Sequence, residues 1–464
     1  MDIGDQLRDI VGAPHVLTDE TSMAAYGRDW LSDYVPAPRC VVRPRTTGEV
    51  AGVVKACAAA RIAIVPSGGR TGLSGGAAAC HGEVVVTLER MNTIDAPNTI
   101  DRTVRCEAGA ITEKLQRAAA HHGLFFPVDF ASRGSSQIGG NIATNAGGIR
   151  VLRYGNMRDW VLGLTVVTGA GDVLNLNGAL FKNNTGYDLR GLMIGSEGTL
   201  GIITEAIVKL TAPPGHLTRV LCALPDESKL EPLLREARAR FQNLSLFEYF
   251  SGAALAIVCE RNTVRSPFPQ SYSTYALLEF EHAAPGLNEE IEQWLGDQMS
   301  AGFISDASLG QNTAQANDLL ALRELISSTL SKHYTIHKND IAVPVPTIGS
   351  FLSEVSSFAA RAYPGGACVL FGHVADGNIH FNVLKGAAQS SEDFDERVSK
   401  GDLELFALVQ RYGGTVSAEH GVGLLKKEHL HFTRSPVEIE LMRAIKRSFD
   451  PHGIMNPGKI FDPA

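Results

Sequence analysis

Pro66-Ser67-Gly68-Gly69-Arg70-Thr71-Gly72-Leu73 follows the short apolar run Ile62-Ala63-Ile64-Val65, so this glycine-rich loop begins where a strand is expected to end. Its glycines expose successive backbone N–H groups, and the hydroxyls of Ser67 and Thr71 lie beside them in the sequence. Because converging amide dipoles stabilise an anion without a full positive charge, the loop suits a diphosphate. Taken alone, it is equally compatible with a flexible surface turn.

Two further glycine-rich blocks follow. The second runs Ser132-Arg133-Gly134-Ser135-Ser136-Gln137-Ile138-Gly139-Gly140-Asn141-Ile142-Ala143-Thr144-Asn145-Ala146-Gly147-Gly148, and the third runs Gly195-Ser196-Glu197-Gly198-Thr199-Leu200-Gly201. Small side chains allow a flat ligand with many hydrogen bonds to lie against the backbone. Three such blocks in one domain predict an extended cofactor site.

Two familiar nucleotide-binding motifs do not account for these blocks. The chain has no G-x-G-x-x-G fingerprint, and the tail Gly453–Lys459 matches a Walker loop only as far as its lysine. Ile460 stands where magnesium binding requires Ser or Thr, and the helical pattern precedes this loop instead of following it. ATP binding is therefore the weaker interpretation.

Length and composition indicate a globular protein of two or three domains. The chain has 464 residues, of which 44% are hydrophobic and 20% are charged. A net charge of -8 without any long basic run argues against a nucleic-acid partner. The acidic amino terminus is unlike a signal peptide, and no stretch approaches the length of a transmembrane helix, so we expect a cytoplasmic protein.

Seven cysteines are scattered along the chain without a Cys-x-x-Cys pair. This spacing argues against iron–sulfur clusters and against structural disulfides. We expect reduced cysteines that pack as small apolar side chains, as in a reducing compartment.

Strand and helix patterns divide the chain. Apolar, β-branched runs alternate with helical patterns from Arg39 to about Leu210, and the breaker cluster Ala212-Pro213-Pro214-Gly215 ends this region. We predict an α+β protein with a first domain at 1–212, a second at 213–440 built from an antiparallel sheet covered by helices, and a C-terminal helix and tail at 441–464. The helical candidates are Glu227–Phe241, Leu287–Met299, Asn317–Lys332 and Val437–Phe449, and the strand candidates include Tyr275–Glu281 and Cys368–Phe371.

A pair of histidines flanks a tight turn in Phe371-Gly372-His373-Val374-Ala375-Asp376-Gly377-Asn378-Ile379-His380. On one continuous strand, His373 and His380 would point to opposite faces. If the Asp-Gly-Asn turn makes a hairpin, both imidazoles can lie on one side. Two histidines and a carboxylate form a common ligand set for zinc, manganese or iron. A packing role remains open for either histidine.

Ser417-Ala418-Glu419-His420-Gly421-Val422-Gly423 offers the carboxylate. Adjacent side chains on a strand diverge, so Glu419 could hold a metal while His420 faces a substrate as a base. A solvated loop is the competing interpretation, and from the sequence alone it is the stronger one.

Candidate groups for a substrate carboxylate lie at 321–340. Arg323 and Ser327 are four residues apart on a predicted helix and therefore share a face, and Lys338 adds a point charge. The alternative for Arg323 is a surface ion pair with a neighbouring acid, which the sequence alone favours.

Taken together, these motifs resemble the vanillyl-alcohol oxidase and p-cresol methylhydroxylase superfamily over nearly the whole chain, and within it the D-2-hydroxyglutarate dehydrogenases. The resemblance implies a two-subdomain FAD-binding domain of the p-cresol methylhydroxylase type and a substrate-binding cap domain. Arg70 stands where members that tether flavin covalently often have histidine, which implies noncovalent FAD. The implied FAD contacts are Pro66, Ser67, Gly68, Gly69, Arg70, Thr71, Gly72, Leu73, Ser132, Ser136, Gly139, Gly140, Asn141, Asn145, Gly198, Ile203 and, from the tail, Asn456.

The same resemblance assigns roles in the second domain. It implies that His373, His380 and Glu419 bind a divalent metal, most simply zinc, and that His420 is the general base and touches the substrate. It implies further that the substrate contacts are Arg323, Ser327, Lys338 and Asn382. Related D-lactate dehydrogenases lack a lysine matching Lys338, so this residue favours a dicarboxylic substrate.

The function implied is oxidation of D-2-hydroxyglutarate by hydride transfer to flavin, with D-lactate, D-malate or another D-2-hydroxy acid as the alternative substrate. A metal-dependent hydrolase without flavin and a noncatalytic binding protein are the rival classes. The expected electron acceptor is an electron-transfer flavoprotein or a quinone. A homodimer is a further expectation.

Overall fold

The structure is a computed structural model that describes residues 2–31, 34–282, 287–364 and 368–462. It divides into two compact units. The first unit contains Met1–Gly148, Tyr154–Pro213 and Glu419–Ala464, and the second contains Ile149–Arg153 and Pro214–Ala418.

The described ranges contain fifteen strands and fifteen α-helices. The strands are β1 Val16–Leu17, β2 Cys40–Val42, β3 Ile64–Ser67, β4 Val84–Thr87, β5 Thr103–Glu107, β6 Val161–Thr168, β7 Val173–Leu176, β8 Gly201–Lys209, β9 His216–Leu224, β10 Leu244–Ser251, β11 Thr274–His282, β12 Asp306–Leu309, β13 Ile336–Ala342, β14 Cys368–His373 and β15 Asn378–Leu384. The helices are α1 Ile3–Val11, α2 Glu20–Tyr26, α3 Thr47–Ala60, α4 Thr112–Ala120, α5 Ile138–Ala143, α6 Val151–Tyr154, α7 Met157–Trp160, α8 Leu189–Met193, α9 Leu230–Arg240, α10 Gly252–Arg261, α11 Leu287–Ser300, α12 Thr313–His333, α13 Ile348–Ala362, α14 Ser391–Arg411 and α15 Pro436–Phe449.

The first unit is built on two four-stranded sheets. One has the order β1-β2-β4-β3, in which β2, β4 and β3 are parallel, and the other has the antiparallel order β5-β8-β6-β7. All four residues of β4 are buried, as expected for a strand covered on both faces. Most neighbouring strands are antiparallel, and the helices are not inserted regularly between parallel strands. The fold class is therefore α+β, as predicted.

The second unit contains one seven-stranded antiparallel sheet with the order β12-β9-β11-β10-β14-β15-β13. Helices α10 and α12 pack on one face through Leu255, Leu322 and Ile326. Phe381 points to the opposite face, where the rings of Phe358 and Tyr363 lie 6.0 and 6.2 Å away. The predicted architecture of an antiparallel sheet covered by helices is therefore present.

The division of the chain differs from the predicted boundaries. The second unit ends at Ala418 instead of residue 440, since the segment that follows is bound to the first unit. The backbone N–H groups of Val422 and Gly423 each donate to the Glu197 carboxylate at 2.8 Å. The N–H of Leu424 donates to the Ser74 carbonyl at 2.9 Å. These contacts join residues far apart in sequence, which composition cannot show.

Helix and strand positions agree closely with the patterns. The final helix α15 begins at Pro436, because the N-cap residue Ser435 and Glu438 in the first turn form a reciprocal capping box. All seven cysteines are unpaired. Within the described residues, no helix is both long and apolar enough to cross a membrane.

Replacing Lys446 by Met is expected to reduce the free energy of unfolding by about 3 kcal/mol or more. The Lys446 ammonium donates to the carbonyls of Thr199 and Met455 and to the carboxylate of Asp450, each at 2.8 Å. The side chain of Asp450 is fully buried, so the substitution leaves a buried charge without its cation. Urea or thermal denaturation measures the effect.

Lys400 provides the matched control for this prediction. It forms an exposed ion pair with Glu396, and its replacement by Met should change stability by less than about 1 kcal/mol. Equal stability of the two variants would show that the contacts of Lys446 do not hold the C-terminal helix to the tail.

Candidate active site

The structure brings the three glycine-rich blocks together within the first unit. A Cβ atom placed on Gly69 would lie 2.3 Å from the Ser135 carbonyl oxygen, and one on Gly198 would lie 3.1 Å from Pro66 Cγ. The N–H of Gly195 donates to the Ile142 carbonyl at 3.0 Å. Glycine is therefore required where the first block touches the second, and the third block contacts both.

The C-terminal tail completes this arrangement. The N–H of Asn456 donates to the carbonyl of Ile64 at 2.7 Å, just before the first block. The Asn456 side-chain amide donates to the carbonyls of Gly76 at 2.9 Å and Glu197 at 2.7 Å. The buried ammonium of Lys459 donates to the Ala78 carbonyl at 2.7 Å. The return of the tail to the first domain, expected from the resemblance, is therefore observed.

Backbone strain concentrates in the same place. Arg70, Asn145, Glu197 and Asn456 have φ values of 57°, 52°, 51° and 44°, in the left-handed region that non-glycine residues rarely adopt. One of them lies in each block and one in the tail. Strained backbone persists where the surroundings over-determine it, and it is common at ligand sites.

Buried polar atoms at the blocks fit a bound cofactor. Among the described residues, Ser67 Oγ, Gln137 Oε1 and Asn456 Oδ1 are buried without a hydrogen-bond partner in the protein. Buried polar groups almost always have partners, so these three atoms indicate that a ligand with hydrogen-bonding groups of its own belongs here. The hydroxyls and ring N–H group of FAD are suitable donors for the two amide oxygens.

Replacing Gly140 by Ala is expected to weaken FAD binding by roughly 5- to 150-fold, the equivalent of about 1–3 kcal/mol of overpacking. A Cβ atom on Gly140 meets no protein atom within 4 Å, so the apoprotein should keep its stability. FAD titration and thermal denaturation of the apoprotein measure the two effects. Gly296→Ala is the matched control, because Gly296 is exposed and a Cβ atom there also meets no protein atom within 4 Å. Gly123 is unsuitable, since its φ of +68° would strain any side chain. Unchanged FAD affinity would place the cofactor away from Gly140.

In the second unit, the two histidines converge as the hairpin interpretation predicts. Strands β14 and β15 pair with Phe371 opposite His380 and with His373 opposite Asn378. Residues 374–376 form a 3₁₀ turn, and Gly377 closes it with a φ of +84°. The imidazole rings of His373 and His380 lie 5.5 Å apart on one face of the sheet.

A buried carboxylate that the sequence analysis did not single out lies between His373 and Arg323. Glu248 on β10 accepts a hydrogen bond from His373 Nδ1 at 2.7 Å, and its other oxygen lies 2.8 Å from Arg323 Nε. The Arg323 guanidinium also lies over the Phe371 ring at 4.6 Å. The ion pair of Arg323 is therefore buried, in contrast to the surface pair considered from the sequence. A single glutamate within the apolar run Leu246-Phe247-Glu248-Tyr249-Phe250 was the available signal.

Asp340 is a second residue that the sequence analysis did not single out, although it lies two positions after Lys338. It lies opposite His380 in the pairing of β13 with β15, and its carboxylate is 3.7 Å from His380 Nδ1. The Asn378 amide donates to it at 2.8 Å, and the Ala418 N–H donates at 3.1 Å. Asp340 thus holds the end of the chain segment that leads directly to Glu419.

Glu419 and His420 lie in a bend, in agreement with the loop interpretation that the sequence favours, although both side chains are only partly exposed. Their side chains do not diverge, since His420 Nε2 is 3.6 Å from Glu419 Oε1. The ligand atoms of this pair lie within 4.8 Å of each other, and the same holds for the pair Asp340 and His380. All four are side-chain types that bind divalent metal ions.

Glu197 fixes the segment that carries His420 within the first unit. Its carboxylate receives the two N–H groups described above, from residues two and three positions after His420. Burial raises the pKa of Glu197, while those hydrogen bonds and Lys426 oppose the rise. A Cβ atom on Gly421 would lie 2.9 Å from this carboxylate. The close approach explains the glycine next to His420.

The remaining predicted substrate contacts lie on the face of the sheet that carries His380. Lys338 lies opposite Asn382 in the strand pairing, one position along the same face from Asp340. The Lys338 ammonium donates to the Ser331 hydroxyl at 2.9 Å, and burial lowers its pKa. Ser327 is exposed one turn beyond Arg323 on α12. Both serines thus belong to the helix that carries Arg323.

Comparison with known proteins shows the family to which the chain belongs. Residues 213–460 match the family described as FAD linked oxidases, C-terminal domain, and residues 38–177 match a family described as FAD binding domain. The chain belongs to the FAD-linked oxidases. It is therefore an FAD-dependent oxidoreductase, and the flavin-free hydrolase considered from the sequence is not supported.

Relatives and solved structures agree with this membership. The chain is 47% identical to D-2-hydroxyglutarate dehydrogenase of Stutzerimonas stutzeri, over 98% of each chain, and 45% identical to the protein of that name from Xanthomonas citri, over 98% of this chain and 96% of the relative. It is similar in structure to p-cresol methylhydroxylase with bound substrate, with a TM-score of 0.80 at 17% identity over 99% of this chain and 96% of that one. The fold is therefore of the predicted p-cresol methylhydroxylase type.

Proposed function

We propose that this FAD-linked oxidase dehydrogenates D-2-hydroxyglutarate to 2-oxoglutarate with the help of a divalent metal ion. One observation carries the choice of substrate. The partly buried Lys338 ammonium forms no ion pair with any described residue, whereas Arg323 on the same face is paired with Glu248. A desolvated ammonium without an acidic partner favours a ligand that brings a second carboxylate.

The relatives support the same substrate, since the proteins from Stutzerimonas stutzeri and Xanthomonas citri are both named D-2-hydroxyglutarate dehydrogenase. D-Lactate and D-malate remain the alternatives from within the D-2-hydroxy acids. D-Lactate has no second carboxylate, so it would leave the ammonium unpaired. D-Malate has one, but its chain is a methylene shorter.

Each proposed residue has a separate task. The Arg323 and Lys338 cations bind the two carboxylates, with Asn382 and the Ser327 hydroxyl as additional contacts. His420 accepts the proton of the substrate hydroxyl. A bound FAD would supply the hydride acceptor, and a bound metal ion would supply a Lewis acid for the hydroxyl oxygen.

The proposed metal ligands are His373, His380 and Glu419, with zinc as the simplest ion. The donor set supports this choice, because neutral imidazoles and carboxylates are suitable zinc ligands. The Nδ1 atom of His373 is held by the Glu248 carboxylate at 2.7 Å, so Nε2 is the nitrogen that we propose as the metal ligand. Asp340 lies beside His380 and is suited to orient it.

The proposal extends to how FAD is held, which molecule accepts the electrons, and the oligomeric state and compartment of the enzyme. We infer a noncovalent FAD, because Arg70 occupies the position in the first glycine-rich block where members that tether flavin covalently often have histidine. Its guanidinium lies over the Tyr26 ring at 4.3 Å. An electron-transfer flavoprotein or a quinone is the proposed acceptor of the electrons. We also propose that the enzyme is a homodimer and that it is cytoplasmic.

Anaerobic bleaching of the flavin absorbance tests the function. The purified protein is mixed with D-2-hydroxyglutarate, L-2-hydroxyglutarate, D-lactate or D-malate, before and after divalent metal is removed and restored. We expect rapid, metal-dependent bleaching by D-2-hydroxyglutarate and much slower bleaching by the others. Faster bleaching by D-lactate would overturn the argument from Lys338, and bleaching that survives complete metal removal would overturn the metal requirement.

A further inference from the structure

Glu248 occupies an unusual position for a buried acid. Its side chain is 2% exposed, and its two carboxylate oxygens contact groups with different proposed tasks. Oε1 accepts from the proposed metal ligand His373 at 2.7 Å, and Oε2 lies 2.8 Å from Nε of the proposed substrate-binding Arg323. One carboxylate is therefore shared by both sites.

The contact with His373 fixes which ring nitrogen can bind a metal. An ionised carboxylate can only accept hydrogen bonds, so Nδ1 of His373 carries the proton and Nε2 carries the lone pair. The direction of the bond therefore determines that Nε2 is the nitrogen with the lone pair. Partners of this kind orient metal-binding histidines and raise their basicity.

The contact with Arg323 is an ion pair, in which Oε2 lies 2.8 Å from Nε without the geometry of a hydrogen bond. Glu248 binds the Nε side of Arg323, while the Phe371 ring supports its face. The terminal amino groups at the other side of the fork are then oriented for a planar, bidentate partner such as a carboxylate. The arginine is also held without a mobile, solvent-exposed stem, since its side chain is 8% exposed.

We propose that Glu248 is a positioning residue that couples the metal site to the substrate-binding arginine. The inference rests on the proposed function, because it takes His373 as a metal ligand and Arg323 as a substrate contact. Loss of the shared carboxylate should disturb both sites, and occupation of one site should strengthen the other by a reciprocal factor.

Glu248→Gln discriminates well, because an amide has one accepting oxygen and one donating nitrogen. If the oxygen faces Arg323, the amide NH₂ faces His373 and favours a proton on Nε2, where a metal should bind. If the oxygen faces His373, the NH₂ opposes the Arg323 Nε–H group. The amide cannot satisfy both partners in either orientation.

The experiment measures Zn²⁺ affinity of the FAD-loaded protein by competition with a chelator, without using turnover. We expect Glu248→Gln to bind Zn²⁺ about 10- to 100-fold more weakly than wild type. Glu279→Gln is the matched control, since Glu279 is equally buried in the same sheet but is bound by Arg219 and Arg150. Its Zn²⁺ affinity should not change.

A second measurement tests the coupling. The probe is 2-oxoglutarate, the proposed product, which carries both carboxylates but cannot reduce the oxidised flavin. It should tighten Zn²⁺ binding in wild type, and this tightening should be clearly smaller in Glu248→Gln. If Glu248→Gln does not fold, Glu248→Asp keeps the charge but is one methylene too short to contact both partners, and it should show the same losses.

The outcomes separate the inference from the function on which it rests. Wild-type protein that binds no Zn²⁺ would overturn the proposed metal site. Wild-type protein that binds Zn²⁺ with unchanged affinity in the folded Glu248 variants, or with equal losses in Glu279→Gln, would overturn the role of Glu248 alone.

Discussion

We expect the His420→Gln variant to show a kcat/KM for D-2-hydroxyglutarate about a thousandfold below that of the wild-type protein while it keeps its FAD. The proposed task of His420 is to accept the hydroxyl proton, and glutamine is too weak a base for that task. The fold should tolerate the change, because the backbone N–H groups of Val422 and Gly423 hold the segment and are unaltered by it. Steady-state kinetics and the flavin spectrum measure both properties.

Two controls distinguish a lost base from a damaged site. His121→Gln alters an exposed histidine of the first unit and should leave kcat/KM unchanged. Added imidazole should restore part of the activity of His420→Gln, since a free base can replace a missing one but cannot repair a misfolded loop. A loss below tenfold, or a loss explained by missing FAD, would contradict the role of His420 as the base.

Local patterns predicted the parts of the site that depend on backbone geometry. The Asp-Gly-Asn turn between His373 and His380 specifies a hairpin, and the hairpin alone places both imidazoles on one face. The glycine-rich blocks were recognisable for a similar reason. A residue such as Gly69, which must allow the Ser135 carbonyl to approach, leaves a compositional trace in the sequence.

Long-range partners left no such trace. Glu248 and Asp340 contact His373 and His380, but nothing in their local sequence shows which strands will be neighbours. The sheet order places β10 beside β14 and β13 beside β15, although these strands are far apart in the chain. Polar residues on buried strands can therefore be flagged from sequence, while their partners require the strand order.

The segment with Glu419 and His420 shows the same limit. Its pattern favoured a loop and left a strand with diverging side chains open, and the structure has a bend with the two side chains close together. The cause is distant, since the Glu197 carboxylate and the Ser74 carbonyl accept the backbone N–H groups that a strand would give to a neighbour. The domain boundary was displaced for the same reason.

Replacing Lys338 by Met should separate the substrates of this enzyme. We expect kcat/KM for D-2-hydroxyglutarate to fall about 100- to 1000-fold, because removal of one partner from a desolvated charge pair costs about 2–5 kcal/mol. Activity with D-lactate should change less than about tenfold, since this substrate has no second carboxylate. Lys332→Met removes an exposed lysine from the neighbouring helix α12 and should affect neither substrate.

The pH dependence gives an independent test of the same residue. Burial lowers the pKa of Lys338, so its ammonium is lost at a lower pH than that of an exposed lysine. The KM for D-2-hydroxyglutarate should therefore rise as pH increases through this lowered pKa, whereas the KM for D-lactate should not follow it. Lys338→Arg keeps a permanent charge and should remove the alkaline rise even if its affinity is lower. Equal losses for both substrates in Lys338→Met, or the same alkaline rise in Lys338→Arg, would show that Lys338 does not bind the second carboxylate.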